Sequence, residues 1–294
     1  MPSILKTETM KTTRISNLRA AALVGARAFI ATMTNAVATP GDAPASGSAG
    51  KPDAAGTSLA LKLHNPIADM VTVPMENNFE FSSDSRHALT YTLNVQPVIP
   101  FHLSQDWRLV TRTIIPFISQ EAVVADERDK TGLGDINQSF FFSPAQLVGG
   151  WTMGAGPVFQ YPTATRSELG TGKWGAGPTF AMLQQNEHWT FGVLANQIWS
   201  FAGDRHREVV NTALVDPFIS YTGSNNFTVE LDGGSTYDWK QRQWAVPLTA
   251  GVSQLVTIGK QSVSFGLDER WYAQHAPGAP AWGIVFTVTF LFPK

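Results

Sequence analysis

From Val71 to the C-terminus, apolar and polar residues alternate with a period of two, the signature of strands whose two faces meet different surroundings. Tyr91, Leu93, Val95, Pro97, Ile99 and Phe101 alternate with Thr90, Thr92, Asn94 and Gln96. The C-terminus is cleaner: Trp282, Ile284, Phe286, Val288, Phe290 and Phe292 share one face, and Gly283, Thr287 and Thr289 lie on the other. Twelve such segments are legible, at about 71–81, 88–100, 106–118, 133–142, 150–160, 174–183, 188–200, 211–221, 227–237, 243–254, 262–271 and 281–292. Most exceed the ~5–6-residue mode of globular strands and suit a tilted membrane-spanning strand of ~9–11 residues. Helical periodicity runs over no useful length.

The connections alternate in character. Short ones (HLSQD, SPAQLVG, QQNE, TGSNN, VTIGKQ) follow the even-numbered segments, and longer polar ones around 125–132, 163–173, 202–210 and 273–280 follow most odd-numbered ones. The first and ninth are short as well, so the alternation is imperfect. Short turns at one end and long loops at the other suit an outer-membrane barrel. Tryptophan placement agrees. Trp107, Trp151, Trp174, Trp189 and Trp199, with Trp239, Trp244, Trp271 and Trp282, all fall within about two residues of a predicted strand end. Membrane barrels hold such rings in girdles at the two interfaces, whereas a sandwich buries them mid-strand. The predicted fold is an all-β, antiparallel, up-and-down transmembrane barrel of about twelve strands over 71–294. A soluble periplasmic β-protein is the alternative.

GAGP occurs twice, at Gly154–Pro157 and Gly175–Pro178, on predicted consecutive strands. Parity sends Gly154, Gly156, Gly175 and Gly177 inward, as a thin patch of wall with room for a solute or an inward-folded loop. Proline donates no ladder hydrogen bond, so a bulge is expected near both copies. A phosphate loop at Gly170–Lys173 fails, because Ser167 stands where a glycine and Trp174 where Ser or Thr is needed.

The N-terminus carries a basic stretch (Lys11, Arg14, Arg19), an apolar run and the small-x-small site Ala36-Val37-Ala38. That predicts a signal peptide over 1–38 with Met1 or Met10 as the start, and export. Residues 39–57, rich in Pro, Gly, Ala and Ser, read as a flexible tether, and 58–70 as a short helix or lead-in segment. Beyond residue 38 the balance is 16 basic to 22 acidic residues. No basic face for nucleic acid is suggested. The chain has no cysteine, so disulfide frameworks and thiol chemistry are excluded.

Polar residues fall on the inward parity: Arg108 and Arg112, Asp135 and Asn137, Asp216, Glu230, Asp268 and Arg270. A lipid-facing Arg or Lys at mid-membrane costs ~2–4 kcal/mol, so these side chains are expected to line the lumen. Asp135 or Asn137, on the neighbouring strand, is expected to pair with one of the two arginines. The histidines His64, His87, His102, His188, His206 and His275 lack metal-ligand spacing, and no nucleophile elbow is present. No catalytic residue, metal or cofactor is predicted. The expected partners are membrane lipid, a small solute and the barrel-assembly machinery.

Several stretches together resemble one bacterial family: NPIADMVTVPMENNFEF (65–81), LNVQPVIPF (93–101), RTIIPFI (112–118), GLGDINQSFFFSP (132–144), the GAGP pair with LGTGK, ANQIWSFAG, STYDW, PLTAGVSQL and the terminal LFPK. It is the outer-membrane β-barrel family named for the meta-cleavage pathway of phenol degradation, whose members are described as transporters and sometimes labelled neuromedin U. The resemblance covers about 65–294. It implies a Gram-negative outer-membrane location and passage of small, often hydrophobic or aromatic solutes, with no catalytic residues. Pro293-Lys294 departs from the usual terminal aromatic. A structural or plugged barrel, and an enzyme with its site at the rim, are the alternative functions.

Overall fold

The computed structural model describes residues 54–83, 88–121 and 129–293. The predicted signal peptide, its cleavage site, residues 39–53 and His87 lie outside the described residues. A helix, α1 (Ala54–Leu63), leads into the first strand and takes in the last residues of the Pro/Gly/Ala stretch.

Twelve antiparallel strands close into a barrel. They are β1 (Val71–Ser82), β2 (Leu89–Val95 and Val98–His102), β3 (Trp107–Gln120) and β4 (Lys130–Leu133 and Ile136–Pro144). Next come β5 (Thr152–Tyr161), β6 (Lys173–Gln185), β7 (Trp189–Gly203) and β8 (Asn211–Thr222). The last four are β9 (Phe227–Asp232 and Ser235–Asp238), β10 (Gln243–Ile258), β11 (Gln261–Gln274) and β12 (Pro280–Phe292). Each strand pairs with its sequence neighbours, and β12 returns to β1 in continuous register from Val71↔Phe292 to Phe81↔Trp282. Every predicted segment corresponds to one of these strands. A 12-residue strand such as β1 reaches ~40 Å at ~3.3 Å per residue, and a tilt of ~35–45° brings that near ~30 Å along the normal.

Besides register shifts at Phe81/Ser82, Trp174/Gly175 and Val246/Pro247, the ladders lapse opposite prolines. In β2 the break falls at Gln96-Pro97, where the Gln96 N–H donates to the Pro74 carbonyl at 2.8 Å. In β4 it falls at Gly134-Asp135, where the Gly134 N–H donates to Pro116 at 2.8 Å. In β9 it falls at Gly233-Gly234, where the Gly233 N–H donates to Pro217 at 3.1 Å. Each proline keeps its pairing on one side and has no N–H for the other, so the facing strand bows there. The GAGP prolines obey the same rule. Pro157 and Pro178 face one another across β5 and β6, and the ladder lapses on their outer sides, towards β4 and β7.

Alternation sorts the wall into two faces. On β4, Phe141 is fully buried and Phe142 is 45% exposed. Outward positions carry Phe79, Phe117, Phe180, Phe265 and Phe286, while inward ones carry Asn78, Thr179, Ser264 and Thr289. An apolar outer wall over a polar inner one is the reverse of a water-soluble barrel. Trp107, Trp151 and Trp189 stand at the short-turn end; Trp174, Trp199, Trp239, Trp244, Trp271 and Trp282 stand at the loop end. Trp282 stacks on Phe81 with ring centres 4.4 Å apart, and Trp151 meets Phe191 edge-on at 5.7 Å.

Candidate functional site

The wall's inward polar residues face the lumen, and its two ends differ. At the short-turn end it is filled from within. Residues 64–70, following α1, enter the barrel, and Ile67 packs against Val98, Val110, Phe141, Ala181, Leu183 and Leu194. Ala60, Ala68 and Met70 pack against Leu255 and Leu291. All these wall residues lie in the half of their strand nearer the short turns. Gly154 is part of the fit, because a Cβ there would sit 3.3 Å from Ile67 Cδ1 and 3.1 Å from Phe141 Cβ. Inward-facing glycine thus makes room for the inserted segment, a use that parity alone left open.

Polar contacts fasten the segment. His64 Nδ1 lies 3.1 Å from Glu230 Oε2. Asp69 Oδ2 lies 3.2 Å from His102 Nε2 and 3.5 Å from Arg108 Nη1. Gln185 Nε2 donates to the Leu61 carbonyl at 2.7 Å, and Asn65 Nδ2 donates to Gln185 Oε1 at 3.3 Å.

Towards the loop end the lumen opens into a vestibule of about 810 Å³. Its wall mixes Asn137, Ser139, Gln160 and Asn196 with Ile114, Val158, Ile198 and Leu214. Its roof is made by two loops. Asp135, at the break in β4, accepts hydrogen bonds from the Thr171 N–H (2.6 Å), the Thr171 hydroxyl (2.7 Å) and the Ala164 N–H (3.2 Å). The Arg207 guanidinium donates to the carbonyls of Thr171, at 3.2 Å, and Gly170. The loop after β7 thereby clasps the loop after β5.

Below the vestibule lie two smaller cavities, of about 240 and 210 Å³, which share His64, Glu76, Glu230 and Asp232. Arg112 and Asp216 line both the vestibule and the first of these. Asp268 and Arg270 line the second. Arg270 donates to Asn78 Oδ1 (3.1 Å), Glu80 Oε1 (3.2 Å) and Thr249 Oγ1 (3.3 Å), and Tyr272 donates to Glu80 Oε1 at 2.5 Å.

One expectation is corrected. Neither Asp135 nor Asn137 pairs with Arg108 or Arg112. The antiparallel register sets Ser143 opposite Arg108 and Ser139 opposite Arg112, with Asn137 a further pleat along at Ile114. Arg108 instead donates to the carbonyls of Pro144 (3.2 Å) and Ala145 (2.9 Å), and Arg112 donates to Gln96 Oε1 at 2.7 Å. The sequence reading also missed Glu76, Asn78 and Glu80, although their even positions on β1 carry the same inward parity. His64 and Asp69 had no such signal.

No family model and no curated protein matches the chain. Among solved structures it is similar to the crystal structure of the COG4313 outer membrane channel from Pseudomonas putida F1, with a TM-score of 0.61 and 12% identity over 76% of this chain and 96% of that one. The chain shares the fold of that channel, a closed antiparallel β-barrel of twelve strands. Weaker likenesses to this barrel are the NanC porin (TM-score 0.46, 12% identity, 76% of this chain and 99% of that one) and the outer membrane phospholipase A of Escherichia coli (0.45, 11%, 82% and 98%).

Proposed function

We propose that the barrel is a passive channel or facilitator for a small solute in the Gram-negative outer membrane. The observation that carries this reading is the run of three cavities, linked by shared lining residues, from the loop end down to the inserted segment. A purely architectural barrel has no need of a roofed vestibule lined by both polar and apolar side chains. The sequence resemblance to the phenol meta-cleavage family points the same way, towards solutes with a hydrophobic or aromatic body. Ile114, Val158, Ile198 and Leu214 offer such a body apolar wall within reach of hydrogen-bonding groups.

Complete passage requires residues 59–70 to move, since they fill the short-turn end. That packing is the observation favouring the second reading, a plugged structural barrel. An enzyme is a weaker alternative. The described histidines pair with Glu230 (His64), Asp69 (His102), the Thr222 carbonyl (His188), Asp204 (His206) and the Ala276 carbonyl (His275), not with a nucleophile. The predicted export signal and a C-terminal strand alternating through Phe290 and Phe292 fit delivery by the barrel-assembly machinery.

Single-channel recording of the refolded protein in a planar bilayer tests the reading. The expected result is resolvable conductance, with Arg108→Ala plus Arg112→Ala shifting ion preference towards cations. A folded barrel without conductance makes the plugged reading the better one.

A further inference from the structure

Arg112 and Asp216 are the two residues that line both the vestibule and the cavity beneath it. They belong to β3 and β8, five strands apart one way round the ring of twelve and seven the other, so they face each other nearly across the diameter. The wall is irregular beside each of them. Val98, just after the break in β2, is the register partner of Arg112, and Gln96 from that break fixes the guanidinium at 2.7 Å. The Gly233-Gly234 break in β9 adjoins Asp216, whose Oδ1 lies 3.6 Å from where a Gly234 Cβ would be. That oxygen is buried and has no hydrogen-bond partner, an unmet acceptor where the two cavities adjoin. A fixed cation therefore faces an under-satisfied carboxylate, and a field runs across the lumen rather than along it.

We propose that Arg112 and Asp216 form a dipole-selective throat, and that the solute class it favours is the small zwitterion with an apolar body, such as a hydrophobic amino acid. This rests on the channel reading above. Such a solute offers its carboxylate to Arg112 and its ammonium group to Asp216 at the same time. An uncharged solute of similar size must separate the two charges and gains hydrogen bonds to them without the ion–ion attraction that a zwitterion makes at both ends. An anion meets Asp216 unfavourably, and a cation meets Arg112. Beneath the throat, Glu76, Glu230 and Asp232 favour entry ammonium-first, with Glu230 already engaged by His64.

Liposome swelling with leucine and arabinose as probes tests the throat, using the full chain and the same chain carrying Ile67→Asp to loosen the inserted segment. Leucine is expected to enter faster than arabinose. Arg112→Gln with Asp216→Asn should lower the leucine-to-arabinose ratio about tenfold, equal to ~1.4 kcal/mol, while arabinose entry persists. The exchange Arg112→Asp with Asp216→Arg should keep the ratio near that of the parent, because a zwitterion can turn end for end; a merely structural pair would not predict this. Heat-modifiable migration on a gel verifies that each variant is folded. An unchanged ratio in the neutral double variant overturns the throat and leaves the channel intact. Absence of swelling by either probe in both backgrounds overturns the channel reading, and the throat falls with it.

Discussion

The two ends of the lumen are built on opposite principles by the same twelve strands. At the short-turn end the inward positions are Val110, Phe141, Leu183 and Leu291, packed on Ile67 and Met70 like the core of a soluble protein. At the loop end the inward positions are Asn137, Gln160 and Asn196, facing an open vestibule under a hydrogen-bonded roof. Parity is equally regular in both halves, so the difference lies in residue choice on the inner face. Apolar side chains there demand a partner from within the barrel, and the chain supplies it from its own N-terminal region. Polar side chains instead tolerate water, which leaves space for a solute.

The sharpest way to break this contrast is to make the packed end polar. Ile67→Asp places an unpaired carboxylate among six buried apolar side chains, at a cost on the order of several kcal/mol. The inserted segment should leave the lumen, and single-channel conductance should rise while the barrel stays heat-modifiable. Unchanged conductance in the folded variant would show that the segment does not obstruct the path.

A second test asks whether the inner face is separated from the lipid face by a single residue. Phe286→Arg, on the outward side of β12, should impair assembly by ~2–4 kcal/mol if it lies near the bilayer midplane. Thr287→Arg borders the lowest cavity and should be milder. Equal folding yields of the two in lipid would refute the parity on which the comparison depends.

A smaller effect is expected at the roof. Asp135→Ala leaves the Thr171 and Ala164 donors without their acceptor, worth ~1–3 kcal/mol of local stability. Trypsin cleavage after Arg166 should speed up with the melting of the barrel unaffected. If the cleavage rate does not change, Asp135 is not what holds the loop.

The smallest concerns Asp204, in the loop after β7. The His206 N–H, 2.9 Å away, holds this carboxyl below the ordinary value of 3.8, and the His206 ring adds to the effect. A depressed carboxyl contributes stability that is present above its unfolded value and is lost as pH falls through the folded one. The turn should therefore be intact at neutral pH and loosen only below 3.8. An NMR titration of the carboxyl carbon reads the midpoint directly; a midpoint at or above 3.8 would mean that the turn does not hold the loop.

By itself the sequence determined the twelve strands, their inward and outward faces and the tryptophans at the strand ends. Those properties are local: a period of two is written in consecutive residues, and lipid on one side forbids the alternative parity. It also carried a warning in its prolines, since a missing N–H must interrupt some ladder. Which ladder could not be read, because a strand has two neighbours and Pro116 spares β2 but breaks β4. Tertiary structure alone decided the contents of the lumen. Asp135 looked like a partner for one of the two arginines and became the anchor of a loop, because register set a serine opposite each of them. His64 and Asp69 came from a segment with no periodic signal and met Glu230, His102 and Arg108. Arg112 and Asp216 were legible as inward residues, but that they line the same two cavities depends on closure of the ring. Alternation says which way a side chain points, and only the closed barrel says what stands on the other side.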